Sequence, residues 1–282
     1  MGEEYDMLGE KGERDMKEYR FYGWEGADVL PASEQWAGVG DPRRLYDLLL
    51  NLWCADTCAP RMRAGWSKDN PTLGQCSITA FLAQDLFGGR VLGVPLPDGN
   101  FHCYNEAGGC VFDLTSEQFG DRRLCYENSP EQLRQVHFAK EEKYQRYLLL
   151  RQRLMGEYAV LLKRRGHNCC QAVLLAYARE AGLPADTLRA LGAAFGGGMG
   201  GMEGTCGALC GAEMALGLTR YQGRSLSGAA RALHQAFERA CGASICRQLK
   251  GVDSGAPLCA CDDCVRRAAQ ALEQTRWTLP AT

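Results

Sequence analysis

The chain has 282 residues, 46% of them hydrophobic and 23% charged, with a formal net charge of −2. That length exceeds what one hydrophobic core usually serves and predicts two domains, while the near-neutral charge, without a basic stripe interleaved with aromatics, argues against nucleic acid as a partner. No apolar run approaches the roughly 20 residues of a membrane span, and the acidic start Met1-Gly2-Glu3-Glu4-Tyr5-Asp6 lacks the apolar segment of an export signal, so a cytoplasmic location is expected.

Residues 1–40 are charged, Gly-containing and weakly periodic, and read as a peripheral arm. Arg44 to Trp53 predicts a helix, and after the polar stretch RAGWSKDNPTLG a second helix runs from Gln75 to Leu86, with Ile78, Phe81 and Leu82 on its apolar face and Gly88-Gly89 as its stop. Three strand-like runs follow, Arg90 to Leu96, Phe101 to Asn105 and Cys110 to Leu114, separated by turn-forming residues. Ser129-Pro130-Glu131 is read as the opening of another helical region. From Lys140 to Arg165 the chain is charged and helical, with a domain boundary expected near Met155. Beyond it the pattern is helical throughout: Tyr158–Arg165, Cys169–Ala181, Ala185–Ala194, Cys206–Leu216, Leu226–Ala240 and Asp263–Gln274. The expected architecture is an α+β domain over 41–154, a helix with a small antiparallel sheet in a papain- or transglutaminase-like order, fused to an all-α helical bundle over 155–282.

Fifteen cysteines, an odd number without an export signal, are expected to be reduced thiols, which favours metal binding or catalysis over a disulfide framework. In Asn168-Cys169-Cys170-Gln171 the asparagine is an N-cap and Gln171 completes a capping box, so both thiols fall in a first helical turn, where the helix dipole favours a thiolate. Thr205 is read as the cap of a helix starting at Cys206, with Cys206 and Cys210 on one face. The glycines among them predict close approach of another backbone or a ligand. Cys241 and Cys246 end the next helical stretch, and Cys259-Ala260-Cys261-Asp262-Asp263-Cys264 follows. The Cys-x-Cys-x-x-Cys run suits zinc or an iron–sulfur cluster; thiols at helix starts suit exchange with a redox partner or small thiol. Both remain open. NCCQAVL, GTCGALCGA, ICRQLKG and CDDCVRRAA, in this order, resemble the C_GCAxxG_C_C family of redox-active proteins, named for four spaced cysteines. That resemblance implies Cys169, Cys206, Cys246 and Cys264 as the active set. Cys170, Cys210, Cys259, Cys261 and His167 are additional candidates. The competing reading makes these thiols small core residues. Gly196, Gly198 and Gly201 form a GxGxxG pattern, but it follows a helix rather than a strand, and no nucleotide site is assigned.

The N-terminal half has its own constellation: Cys76 at a helix start, His102 on one strand and Asp113 on the next. This is the order of nucleophile, base and orienting acid. A hairpin centred between Ala107 and Gly108 pairs Asn105 with Cys110 and sets His102 directly opposite Asp113, about 5 Å apart at Cβ. Cys76 would then attack an acyl carbon, with backbone amides or the Gln75 side chain as oxyanion donors. Against this stands a packing cysteine beside a structural His–Asp pair. GWSKDNPTLGQCSITAFLAQDLFGG, HCYN and FDLTSEQF resemble the YunG family of bacterial proteins over roughly Arg44 to Arg153, a resemblance that brings no settled activity. Three readings result: a thiol-redox or metal-binding protein acting through its C-terminal cysteines; a cysteine-dependent hydrolase or acyltransferase using Cys76, His102 and Asp113; and a non-enzymatic binding or scaffold protein.

Overall fold

Asp41 caps the first helix, α1 (Pro42–Leu52), by accepting a hydrogen bond from the Arg44 amide, and Pro42 occupies the first helical position, where no amide donor is needed. The computed structural model describes residues 20–278. Helix α2 (Cys76–Phe87) follows a loop and stops at Gly88. Strands β1 (Arg90–Pro95), β2 (Phe101–Ala107) and β3 (Cys110–Phe112) form an antiparallel sheet in the order β1-β2-β3. The β2–β3 turn consists of Gly108 and Gly109, both with positive φ, as a two-residue primed turn requires. It therefore pairs Ala107 with Cys110 and Asn105 with Phe112, a register two residues away from the expected one.

The Ser129-Pro130-Glu131 segment is not a helix start. Glu131 bridges Leu92, the Gly93 amide donates to the Pro130 carbonyl and the Gln132 amide to that of Val91. The segment thus satisfies the open edge of β1, a demand that local capping signals do not reveal. Helices α3 (Arg134–Phe138) and α4 (Glu141–Arg164) come next. The later part contains α5 (Cys169–Ala176), α6 (Ala178–Ala181), α7 (Ala185–Gly192), the single turn α8 (Gly196–Met199), α9 (Gly207–Arg220), α10 (Ser227–Cys241), α11 (Cys246–Leu249) and α12 (Cys261–Thr278). The helix expected over Cys169–Ala181 is broken at Tyr177, which leaves helical geometry and donates its hydroxyl to the Ala269 carbonyl.

Helix α4 is continuous through Met155, where a boundary was expected, and packs against α2, α1, α5 and α12. One hydrophobic core runs through both halves, with Leu45, Phe81, Leu154, Val173, Leu209 and Leu272 all fully buried. The expected peripheral arm also differs: residues 1–19 lie outside the described residues, but Phe21, Ala27, Val29, Trp36 and Val39 are buried. Isolated apolar anchors among charges leave no periodicity to detect, yet each fills a place in this core. Among the described residues no helix is long and apolar enough to cross a membrane.

Candidate functional site

Cys76 is the first residue of α2. The loop before it is held by the buried Arg146 of α4, whose guanidinium donates to the carbonyls of Gly74 and Thr57, both at 2.9 Å. The first α2 hydrogen bond runs from the Thr79 amide to the Gln75 carbonyl, so the amides just before Thr79 have no intrahelical acceptor. An acyl-transfer reading of Cys76 would draw its oxyanion donors from these amides. The Gln75 side chain is fully buried, does not line the cleft, and turns its Nε2 to the Cys54 carbonyl at 3.2 Å.

His102 and Asp113 are each 1% exposed, and His102 Nε2 lies 2.5 Å from Asp113 Oδ2. The two-residue register shift removes direct opposition but keeps both side chains on one face, because side chains alternate with a period of two; the imidazole spans the diagonal. The carboxylate is fixed on all sides. Its Oδ1 accepts from the Thr115 amide and hydroxyl, at 3.0 and 3.1 Å, and its Oδ2 from the Tyr126 hydroxyl at 2.8 Å. Tyr22 stacks on Tyr126 and bridges the Asp113 backbone, so the arm reaches the site. Tyr126 was invisible in the sequence because it sits on an irregular loop.

With Nε2 bound to Asp113, His102 Nδ1 is buried without a nitrogen or oxygen partner and is left to face the Cys76 thiol. Cys76 is held well below the usual thiol range, first by a hydrogen bond from the Cys103 thiol and then, against burial, by His102 and the Cys103 amide. Burial would lower the His102 pKa, but the Asp113 carboxylate and then Cys76 lift it to about 10. Cys103 itself is pushed up by Cys76 and by burial, so it stays a proton donor. These directions favour a thiolate at Cys76 beside a protonated His102; both residues line a cleft of about 730 Å³, whose wall includes Gln118, Phe119, Lys140 and Lys143.

The second site is on the other half of the molecule. All fifteen cysteines are free thiols. Cys169, Cys206, Cys246 and Cys264 line one cleft of about 290 Å³, with Cys259 and Cys261 also on its wall and Lys163 and Lys250 beside them. The capping box forms as expected: Asn168 Oδ1 accepts from the Gln171 amide at 2.9 Å and Gln171 Oε1 from the Asn168 amide at 3.0 Å. Cys206 is the N-cap of α9 rather than its first residue. Its amide donates to the Ser244 carbonyl and that of Cys246 to the Gly204 carbonyl, joining the two cysteine-bearing segments. The expected close approach at the glycines is present: a Cβ on Gly207 would lie 2.6 Å from Cys169 Sγ, and one on Gly211 would lie 2.6 Å from the Cys170 carbonyl.

The sulfurs of Cys241, Cys259 and Cys264 all lie within 4.8 Å of one another, and Cys206 is hydrogen-bonded to Cys264. Cys241 joins this group although no motif pointed to it; its only signal is a position near the end of α10. Three or four soft sulfur donors so close together fit zinc or an iron–sulfur cluster by type and spacing. Two expectations are corrected. Cys170 and Cys210 do not line the cleft and are protonated thiols, pushed up by burial to about 12 and about 11. His167 lies instead in a separate cavity with Tyr158 and Arg189. The expected lowering of thiol pKa at these helix starts is also overturned at Cys206, which is raised by its Cys264 partner and by burial despite the favourable amides of Ala208 and Leu209. Cys246 is raised by burial. At Cys206 the helix start loses to the Cys264 partner and to desolvation together.

Residues 41–159 match the family model described as "YunG protein" and residues 167–275 the one described as "Putative redox-active protein (C_GCAxxG_C_C)". A curated relative, "Uncharacterized protein YunG" of Bacillus subtilis (strain 168), is 37% identical over 81 residues, covering 28% of this chain and 69% of the relative. No solved structure matches.

Proposed function

Because the chain belongs to the YunG family through residues 41–159 and to the C_GCAxxG_C_C family through residues 167–275, we propose that its C-terminal cysteine cluster is an active element for thiol-redox exchange or metal binding. The convergence of Cys169, Cys206, Cys246 and Cys264 on one cleft carries this reading. In the redox form, oxidation joins the adjacent sulfurs of Cys206 and Cys264. Their two electrons and two protons pass to the disulfide of a small thiol or partner protein, which becomes two thiols. In the metal form, Cys241, Cys259 and Cys264, with Cys206 beside them, would hold a soft ion or cluster, which supplies electron transfer if it is an iron–sulfur centre and rigidity if it is zinc. The raised thiol pKa values at Cys206 and Cys264 mean that binding must displace protons. Metal analysis and visible absorbance of anaerobically purified protein test the metal form. Thiol titration under mild oxidation, compared with Cys206→Ser, tests the redox form: loss of two thiols in the wild type alone supports it, and identical titres with no metal remove both.

A second chemistry is favoured by the hydrogen-bonded series Tyr126–Asp113–His102 ending at Cys76, in the nucleophile–base–acid order of papain-like enzymes. The Cys76 thiolate attacks an acyl carbon and forms a C–S bond; His102 gives its proton to the leaving group as the bond to that group breaks. Water then attacks the thioester, losing a proton to His102 and releasing the acid and the Cys76 sulfur. Selective alkylation of Cys76 by iodoacetamide near neutral pH, lost in His102→Ala, is the expected result; equal sluggishness of both proteins would remove the nucleophile.

A further inference from the structure

The cleft above Cys76 carries an uneven charge. Arg61 pairs with Asp98 at 2.9 Å, and Arg146 pairs with Glu142 at 3.0 Å. Lys140 and Lys143 line the same cleft and form no ion pair among the described residues. Lys140 is the N-cap of α4 and Lys143 lies in its first turn, the end of a helix where a cation is disfavoured by the dipole. Glu141, the other acid of that turn, does not line the cleft and accepts from Gln145.

Lys143 is half-buried, and its hydrogen-bond partner among the described residues is neutral. Its Nζ donates to His137 Nδ1 at 3.0 Å, and His137 Nε2 lies 3.0 Å from Gln132 Oε1. Since Gln132 Oε1 can only accept, Nε2 carries the ring proton and Nδ1 is the acceptor, which makes His137 neutral. Burial and then the neighbouring Lys143 hold its pKa down at about 4. A desolvated ammonium with a neutral acceptor is costly to maintain for packing alone. Lys143 is also close enough to interact electrostatically with Cys76 and Cys103.

We infer that the acyl substrate attacked by Cys76 carries a carboxylate, received by Lys143 and Lys140 at the α4 end of the cleft. This rests on the reading of Cys76 as a nucleophile and adds the substrate class. A neutral acyl compound would leave both ammonium groups without a counter-charge once it displaced water and Cys76 became a neutral thioester. A substrate carboxylate instead completes the Lys143 shell, in a geometry that His137 and Gln132 hold ready.

The probes are iodoacetate and iodoacetamide, which form the same C–S bond with loss of iodide and differ in carrying a carboxylate or an amide. Alkylation of Cys76 in the full chain is followed by peptide mass mapping, and the iodoacetate-to-iodoacetamide rate ratio is divided by that of mercaptoethanol. The expected normalised ratio is about tenfold above one at low salt, as for one half-buried charge. It should fall towards one in Lys143→Gln, the iodoacetate rate dropping further than the iodoacetamide rate, and survive in Lys143→Arg; Lys140→Gln should lower it less. Glutarate should slow labelling more than inorganic phosphate at equal ionic strength. A ratio near one, a ratio indifferent to both lysines, or protection by phosphate alone overturns the carboxylate inference and leaves the nucleophile standing. Failure of iodoacetamide itself to label Cys76 selectively removes the nucleophile and the inference together.

Discussion

The Cys76 sulfur and the sulfurs of the C-terminal cleft show how environment sets thiol chemistry. Both lie at helix starts, yet Cys76 is held low and Cys206 is raised. The difference is in the partners: Cys76 has a thiol donor and an imidazolium, whereas Cys206 shares a proton with another cysteine. The pH dependence follows with a definite sign. Cys76 alkylation should titrate well below the usual thiol pKa of about 8.5, and His102→Ala should move that midpoint upward, because the imidazolium that favours the thiolate is gone. On the acyl-transfer reading, turnover would also need the His102 proton and should decline as pH rises through about 10. A wild-type midpoint at or above that of a free thiol would contradict the ion pair. Tyr126→Phe removes one donor to Asp113 Oδ2 and should cost about 1 kcal/mol in denaturant unfolding; an unchanged midpoint would mean that the hydroxyl contributes nothing.

Much of this was legible at the residue scale, for a physical reason. Strand alternation preserved the His102–Asp113 face although the turn was centred one residue early and the register was therefore two residues off, since an even shift cannot move a side chain across the sheet. A shift of one would have separated them. Tyr126, Lys143 and Cys241 were not legible, because their roles come from loop closure and helix packing rather than from spacing.

Among the elements, α9 depends most on what its sequence omits. A Cβ at Gly207 would lie 2.4 Å from the Phe195 carbonyl oxygen and 2.6 Å from Cys169 Sγ, whereas one at Gly217, in the same helix, meets nothing within 4 Å. Gly207→Ala should therefore cost about 1–3 kcal/mol by overpacking against backbone that cannot yield, and should displace Cys169 from the cleft. Gly217→Ala should stabilise by about 0.5–1 kcal/mol through helix propensity. Thermal unfolding of the two variants decides the matter: shifts of opposite sign are expected, and a harmless Gly207→Ala would mean that α5 and α9 do not meet so closely. The glycines pointed to this contact in advance, but only the fold could say that the approaching group was a sulfur-bearing turn.

At the scale of the whole molecule, the segments that match two sequence families share one hydrophobic core. Helix α4 brings Arg146 to the Cys76 loop and, one and a half turns later, Arg151 to the opposite half. Arg151 Nε donates to Glu273 Oε2 at 3.0 Å, and its guanidinium also pairs with Glu180. Glu273 is fully buried, with Arg276 and Trp277 as its other partners. Replacing Arg151 by alanine leaves that carboxylate under-compensated and should cost about 3 kcal/mol, near the lower end for a broken buried pair because two donors remain. Arg151→Met keeps the packing volume and still loses the charge, so it should cost nearly as much if electrostatics dominate. Since Leu154, Phe81 and Leu272 belong to one core, the loss should appear in both halves at once: tryptophan fluorescence, dominated by the N-terminal half, and helical circular dichroism should shift to the same lower midpoint. Two separated transitions, with only the C-terminal one moved, would show instead that the halves are stable apart and that α4 merely connects them.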